Sequence, residues 1–390
     1  MLSSRIRPLA HPNRPSQSTG ATAAVSQHNP FSTSSSPDNQ DQDSDQDPED
    51  AESLLSSFLP HLFPDDTPVC LGDPGQALAY TSPQWGTMKI WVPDYGSDSH
   101  SSDSGNGDAK DHGGREGEVE AGRKLFAHYL WGGALVIADE IERRYRVKKG
   151  VSSLEENACG NEREEGLWDV EGQEVLELGA GAALPSLIAL RAGAKNVTVT
   201  DHPSAKGIYG PIQQSLAASV PSSLHQKIAI NPYTWGVFPG EPDNGGSQKE
   251  IEFATSGQSR YTRIIVADCL WMPEQHDNLA RSIAWYLAPP ALPLSKVAAA
   301  EEREHGEDSA SDGAAYVVAG YHTGRDVVAS FFENAVPKAG LHIERIYERD
   351  LNAKTEDGQA GRVTREWKAQ RPGETDRSRW CVVAFLRRRK

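Results

Sequence analysis

Residues 174–185 read Glu-Val-Leu-Glu-Leu-Gly-Ala-Gly-Ala-Ala-Leu-Pro, a short apolar run that breaks into a glycine loop and then a segment opened by proline. Val175, Leu176 and Leu178 suit a buried strand. Gly179 and Gly181 let the backbone turn tightly and come close to a ligand, and Pro185 fits the first turn of a helix. A strand, a glycine turn and a helix in this order build the crevice in which open α/β sheets hold nucleotide-like ligands.

The remaining chain supplies the rest of such a sheet. Apolar runs at 175–178, 197–200, 227–230, 264–267 and 316–319 alternate with helical segments over 185–193, 206–219, 275–287 and 325–337. Strands alternating with helices imply parallel β-α-β units with right-handed crossovers. Two last runs, 341–347 and 381–386, flank a polar loop at 351–378 and read as an antiparallel C-terminal hairpin. Upstream, 77–81 and 88–92 flank Ser-Pro-Gln-Trp-Gly and read as a second hairpin. Residues 122–147 carry Leu125, Phe126, Tyr129, Leu130, Ala134, Ile137, Ala138 and Ile141 at helical spacing and end in Arg143, Arg144 and Arg146, which suit a helix C-terminus. The expected fold class is α/β: a Rossmann-like, seven-stranded, mostly parallel sheet with helices on both faces and an N-terminal hairpin-and-helix extension.

Composition separates this core from its surroundings. Residues 1–50 are rich in Ser, Thr, Pro and Gln and then in Asp, and are expected to be a disordered tail. Residues 51–390 are expected to form one domain with polar inserts near 94–120, 150–166, 239–259, 296–313 and 351–378, read as surface loops. The net charge of -16 disfavours nucleic acid as a partner. Acidic residues crowd into 38–52 and the later inserts, where they either solvate the chain or steer a basic partner. No stretch reaches the roughly 18 apolar residues of a membrane span, so no membrane partner is expected. Cys70, Cys159, Cys269 and Cys381 show no C-x-x-C spacing, which argues against a metal site or disulfide framework and suits the cytoplasm. Met1 to Pro37 contains Arg5, Arg7 and Arg14 but no acidic residue, so mitochondrial import is the alternative, although Pro8, Pro12 and Pro15 interrupt an amphipathic helix. A monomer is expected.

Ligands of such sheets bind beyond the carboxyl ends of the strands, which here carry Gly179–Ala183, Asp201, Trp235 and Asp268. Asp201 follows the glycine loop by about 20 residues, from where a carboxylate accepts both ribose hydroxyls; a helix N-cap is the alternative. Two residues separate a dinucleotide from a methionine-derived cofactor. The dinucleotide fingerprint has glycine where this chain has Leu184, and Glu177 would repel a pyrophosphate but suits an ammonium and a sulfonium. S-adenosyl-L-methionine is the expected cofactor.

The runs E-L-G-A-G-A-A-L-P at 177–185, V-T-V-T-D at 197–201, Thr-Trp-Gly at 234–236 and I-I-V-A-D-C-L-W at 264–271 resemble the seven-strand S-adenosylmethionine-dependent methyltransferases. The closer resemblance is to the branch that methylates lysines and N-termini of proteins, including translation elongation factors, and that in fungi is often labelled nicotinamide N-methyltransferase-like. Leu-Phe-Ala-His-Tyr-Leu-Trp at 125–131 is similar to that branch's pre-core helix. The resemblance implies that Gly179, Ala180 and Gly181 line the methionine moiety, Asp201 the ribose, Trp235 the adenine and Ala267 the inner wall, with Trp131 closing the pocket. It implies that Asp268 holds the acceptor amine, that Trp271, where relatives carry Tyr or Phe, walls the amine channel, and that His276 deprotonates the amine. Tyr321 and His322 are expected on the same sheet face, at the mouth. Bland alternatives stay open: a core aromatic for Trp131, a loop anchor for Trp235, an N-cap for Asp268 and a surface histidine for His276.

The implied function is N-methylation of a lysine or N-terminal amine of a protein such as a translation elongation factor. A small-molecule, nicotinamide-type N-methyltransferase, an NAD-dependent oxidoreductase and a non-catalytic adaptor with the same fold are the competing readings.

Overall fold

Sheet topology fixes where the crevice opens. A computed structural model describes residues 2–9, 70–72, 75–93, 129–151, 166–241, 245–290, 312–355 and 361–389. In chain order the strands are β1 (Ile6–Pro8), β2 (Cys70–Leu71), β3 (Ala77–Ser82), β4 (Gly86–Trp91), β5 (Leu130–Trp131), β6 (Glu174–Leu178), β7 (Asn196–Asp201), β8 (Ile228–Pro232), β9 (Arg263–Ala267), β10 (Ala314–Gly320), β11 (Leu341–Asp350), β12 (Thr364–Glu366) and β13 (Trp380–Arg388). The main sheet has the order β12-β11-β13-β10-β9-β6-β7-β8. Five neighbouring strands, β10, β9, β6, β7 and β8, are parallel, and β13 runs antiparallel between β10 and β11. The order reverses at β6, with β7 on one side and β9 on the other, so the crevice opens beyond the carboxyl ends of these strands. The expected α/β class is the observed one.

Helices α1 (Gly132–Lys148), α2 (Leu184–Arg191), α3 (Pro211–Ser219), α4 (Gln248–Gly257), α5 (His276–Tyr286), α6 (Arg325–Ser330) and α7 (Val336–Lys338) flank the sheet, the last two joined by a π turn at Phe331–Ala335. Alternation along the strands feeds two apolar layers. Val175, Val197, Tyr316 and Phe385 pack with Ile137, Leu187 and Ile212 on one face, while Leu176, Ile264, Val317 and Leu386 pack with Leu279, Ile283 and Phe331 on the other. The β3–β4 hairpin is fastened to α3 by two serines: Lys89 N donates to Ser219 Oγ at 2.7 Å and Trp91 N to Ser215 Oγ at 2.9 Å.

The structure departs from the sequence reading in four places. The main sheet gains an eighth strand because part of the polar loop at 351–378 pairs along β11 as the edge strand β12. The pre-core helix begins at Gly132 rather than near 122, and Trp131 sits before it in extended backbone. The insert at 239–259 contains α4, whose capping box joins Ser247 and Glu250 and whose Ala254 is buried. Finally, residues 2–8 are not a disordered tail. Strand β1 pairs antiparallel with β3, Leu2 is buried, and Leu2 N donates to Leu351 O at 2.9 Å. The rest of the tail over 10–50, the insert at 94–120, 152–165 and 296–311 of two further inserts, Leu125 and Phe126 lie outside the described residues. Among the described residues no helix is long and apolar enough to cross a membrane.

A buried ion network ties the N-terminal segment and α1 to the C-terminal strands. Arg349 on β11 lies beneath α1 and donates to Glu140 at 2.6 Å and to Asp139. Arg5 reaches Asp139 at 2.6 Å, and Arg362 and Arg143 complete Glu140 at 2.9 and 2.8 Å. On the other side of β11, Glu348 accepts from Tyr321 Oη at 2.8 Å, from Arg325 at 2.6 Å and from Arg365. The Arg362 side chain, from the polar loop, is therefore an interior group of the fold, at 3% exposure.

Candidate active site

The ends of β6, β7, β8 and β9, with residues 129–134, enclose one cleft. Its floor is the glycine loop. Gly179 and Gly181 take left-handed backbone with φ of +73° and +52°, and Ala183 follows at +57°. The amides of Gly179 and Ala180 both donate to Thr200 O at 3.0 Å, which locks the loop to β7. A methyl group at Gly179 would stand 2.7 Å from Cys269 Sγ and 2.9 Å from the Trp235 indole. Gly179→Ala is therefore expected to push Trp235 into the cleft and to weaken binding of S-adenosylhomocysteine by about tenfold or more, measured by calorimetry.

Asp201 ends β7 with one carboxylate oxygen accepting from Gly181 N at 2.8 Å and the other from His202 N at 2.7 Å. Trp235 is held by its neighbours: Thr234 N donates to Glu250 Oε1 at 2.8 Å, and Gly236 N donates to Ser282 Oγ at 3.0 Å. Burial works against ionisation of Glu250, but the hydrogen bonds from Ser247 and Thr234 outweigh it and hold the carboxyl below its usual range. The helix inside the polar insert thus fixes the loop on which Trp235 is presented.

Glu177 lies behind the glycine loop, fully buried. Its Oε2 accepts from Ser186 N at 3.2 Å, at the start of α2, and its Oε1 has no hydrogen-bond partner among the described residues. Burial pushes its carboxyl up to about 8; the bonds from Ser186 oppose this and the neighbouring Asp201 charge adds to it. A carboxyl raised in the fold contributes stability that is whole below its unfolded value near 4.5 and is lost as pH rises towards 8. Glu177→Gln is expected to match the parent in thermal unfolding near pH 4.5 and to exceed it by about 4 kcal/mol near pH 8. Equal stability at both pH values would contradict this.

The opposite wall centres on Asp268, which is buried and left-handed at φ +53°. Its Oδ2 accepts from Gly133 N at 2.6 Å and its Oδ1 from Gly320 N at 2.8 Å, so one carboxylate joins β9, β10 and the first turn of α1. Gly133 is required there, because a Cβ would lie 2.5 Å from Asp268 Oδ2. Trp271, Met272 and Gln275 continue this wall, and Tyr129 meets Trp131 edge-on with ring centres 5.9 Å apart. Cys269 faces the cleft, but burial pushes its thiol well above the usual range and its Sγ donates to Leu178 O at 3.4 Å. It is a packing group rather than a nucleophile.

Trp131, Gly179, Ala180, Gly181, Asp201, Trp235, Ala267, Asp268 and Trp271 all line this one cleft. His276 does not. As the first residue of α5 it turns inward, with Nε2 3.0 Å from Leu270 O and its ring edge-on to Phe331. Burial lowers its pKa against the opposing Leu270 hydrogen bond, so its place is in the core behind the 270 loop. The cleft also has Tyr129, His202, Thr234, Cys269 and Gln275, which the sequence reading had not assigned to it. Among the described residues no group of three or more His, Cys, Asp or Glu is placed to hold a metal ion.

No protein-family model matches the chain. It is similar to the protein N-terminal and lysine N-methyltransferase EFM7 of Candida glabrata, at 32% identity over 119 residues that make up 30% of this chain and 43% of that one. The proteins of the same name from Eremothecium gossypii and Neurospora crassa are 32% and 30% identical over 169 and 167 residues, covering 42% of this chain in each case and 52% and 49% of theirs. The chain spans about half the length of the curated relatives it matches.

Proposed function

We propose that the cleft binds S-adenosylmethionine and that the protein methylates an amine of another protein, a lysine side chain or an N-terminus, with a translation elongation factor as the candidate target. The observation that carries this reading is the convergence of the glycine loop, Asp201, Trp235, Trp131 and Asp268 on one cleft at the strand-order reversal. The residues fit the group. Gly179, lacking a side chain, lets Cys269 and the Trp235 indole close against the loop, and Asp201 offers a carboxylate to a ribose diol. The similarity to protein N-terminal and lysine N-methyltransferases supports the acceptor class.

When bound, S-adenosylmethionine supplies an electrophilic methyl group on a sulfonium. The protein's own tasks are then positional. Trp131 and Trp235 shield the site from water and offer aromatic faces to a cation and to a base. Asp268, fixed on two sides, orients the incoming amine and offsets the positive charge that its nitrogen acquires. Calorimetric titration separates the donor classes: S-adenosylhomocysteine is expected to bind and NAD not to bind. Binding of NAD in preference would overturn the reading.

A further inference from the structure

Behind Asp268 sits an imidazole that the mechanism above leaves unused. His322, two residues beyond β10, has its ring folded back over Gly320, where a Cβ would fall 2.5 Å from Cε1 and 2.6 Å from Nε2. The seat exists because residue 320 has no side chain. The ring packs on the Trp131 indole with centres 4.4 Å apart, and Nε2 stands 3.5 Å from Asp268 Oδ1. Both ring nitrogens are buried and find no hydrogen-bond partner among the described residues. A buried polar group left this way costs about 1–3 kcal/mol and calls for an explanation.

Amine methylation supplies that explanation. An amine reaches the cleft largely as an ammonium, and one proton must leave before its nitrogen has a lone pair to use. Both Asp268 oxygens already accept backbone N–H groups, so the carboxylate suits orientation better than proton storage. Imidazole is the side chain that exchanges protons in the neutral range. We propose that His322 takes up, through Asp268, the proton lost by the acceptor ammonium, the task that the family resemblance implies for His276. The freed lone pair forms the carbon–nitrogen bond as the methyl–sulfur bond breaks, its electron pair stays on sulfur, and the proton leaves His322 by the same route, through Asp268 to the cleft and solvent. His322 does not line the cleft and is thus a positioning residue; the assignment rests on the amine-methyltransferase reading.

Among the described residues the surroundings leave Asp268 as its charged neighbour. On β13, Cys381 pairs in register with Gly320 and is a thiol that burial pushes well above its usual range. On α1 the first acids, Asp139 and Glu140, turn to Arg349. On its own segment Tyr321 and Arg325 turn to Glu348.

The test follows initial rates of tritium transfer from S-adenosylmethionine to proteins of a dialysed host lysate across the neutral and alkaline range, for the parent, His322→Phe and His322→Asn. The parent is expected to be nearly flat above neutrality. Both variants should fall about 100-fold near pH 7 and then climb about tenfold per pH unit, as solvent deprotonates the amine. His322→Phe keeps a ring against Trp131, and S-adenosylhomocysteine affinity within about threefold of the parent, by calorimetry, is expected for it. An equal fractional loss at every pH, or no loss, would overturn the assignment. A parent that labels no protein overturns the function and this inference together, whereas a labelling parent with variants of unchanged profile overturns this inference alone.

Discussion

Asp201→Ala is expected to weaken S-adenosylhomocysteine binding by about 100-fold or more while leaving the thermal transition within a few degrees of the parent. Two losses add. The ribose hydroxyls would lose a charged acceptor, worth about 1.5–3 kcal/mol per hydrogen bond. The loop also loses the clamp between Asp201 Oδ2 and Gly181 N at 2.8 Å, so Gly181 is no longer held in its left-handed turn. Asp201→Asn separates the two, since an amide oxygen still accepts from Gly181 N but carries no charge. An intermediate affinity is expected for it. Undiminished binding by the alanine variant would show that the cleft is used in another way.

Arg349→Met is expected to produce the largest loss of stability, about 3–5 kcal/mol in chemical denaturation, because it leaves buried carboxylates short of a partner. The guanidinium serves Asp139 and Glu140 at once from a fully buried position. Burial alone would raise both carboxyl groups, but Arg349 outweighs it, with Arg5 at Asp139 and Arg362 at Glu140, and holds both below the usual carboxylate range. The sign with pH follows. Carboxyls depressed in the fold contribute stability that is present above their unfolded values, near 3.8 and 4.5, and is lost as pH falls below them. The gap between parent and Arg349→Met should thus be widest near neutrality and shrink in acid. A gap that widens in acid would contradict the network's assigned role.

The parts of the fold that could be read from sequence are those where side chain and backbone carry the same message. Val175–Leu178 with Gly179 and Gly181 specify a strand and its turn locally, and acidic or small residues at the other strand ends mark one edge of one sheet. Polarity misled where charge is interior. Arg325, Arg349 and Arg362 look like surface residues until Glu348 and Glu140 are placed beside them, and those partners lie 23, 209 and 222 residues away. Averaged composition hid the Leu2–Pro8 segment, whose strand partner begins beyond a long polar stretch. In 239–259 the Ser247-x-x-Glu250 capping box was a usable helix signal inside an otherwise polar insert. Histidine placement failed for a different reason. Helical spacing does not tell inside from outside in the first turn, so His276 was legible only once Leu270 O and Phe331 were seen around it. His322 needed a tertiary fact, the ring's fold-back over Gly320.

In the proposed reading, the donor side of the cleft rests on local motifs and the acceptor side on contacts between distant segments. The most direct measurement is to incubate the purified protein with tritiated S-adenosylmethionine and a dialysed lysate of its host, then hydrolyse the labelled material and identify the methylated amine. The account predicts label in protein, recovered as methyl-lysine or as an N-methylated terminal residue, and absent with Asp201→Ala. Label confined to small molecules, or recovered from protein on atoms other than amine nitrogen, would contradict it.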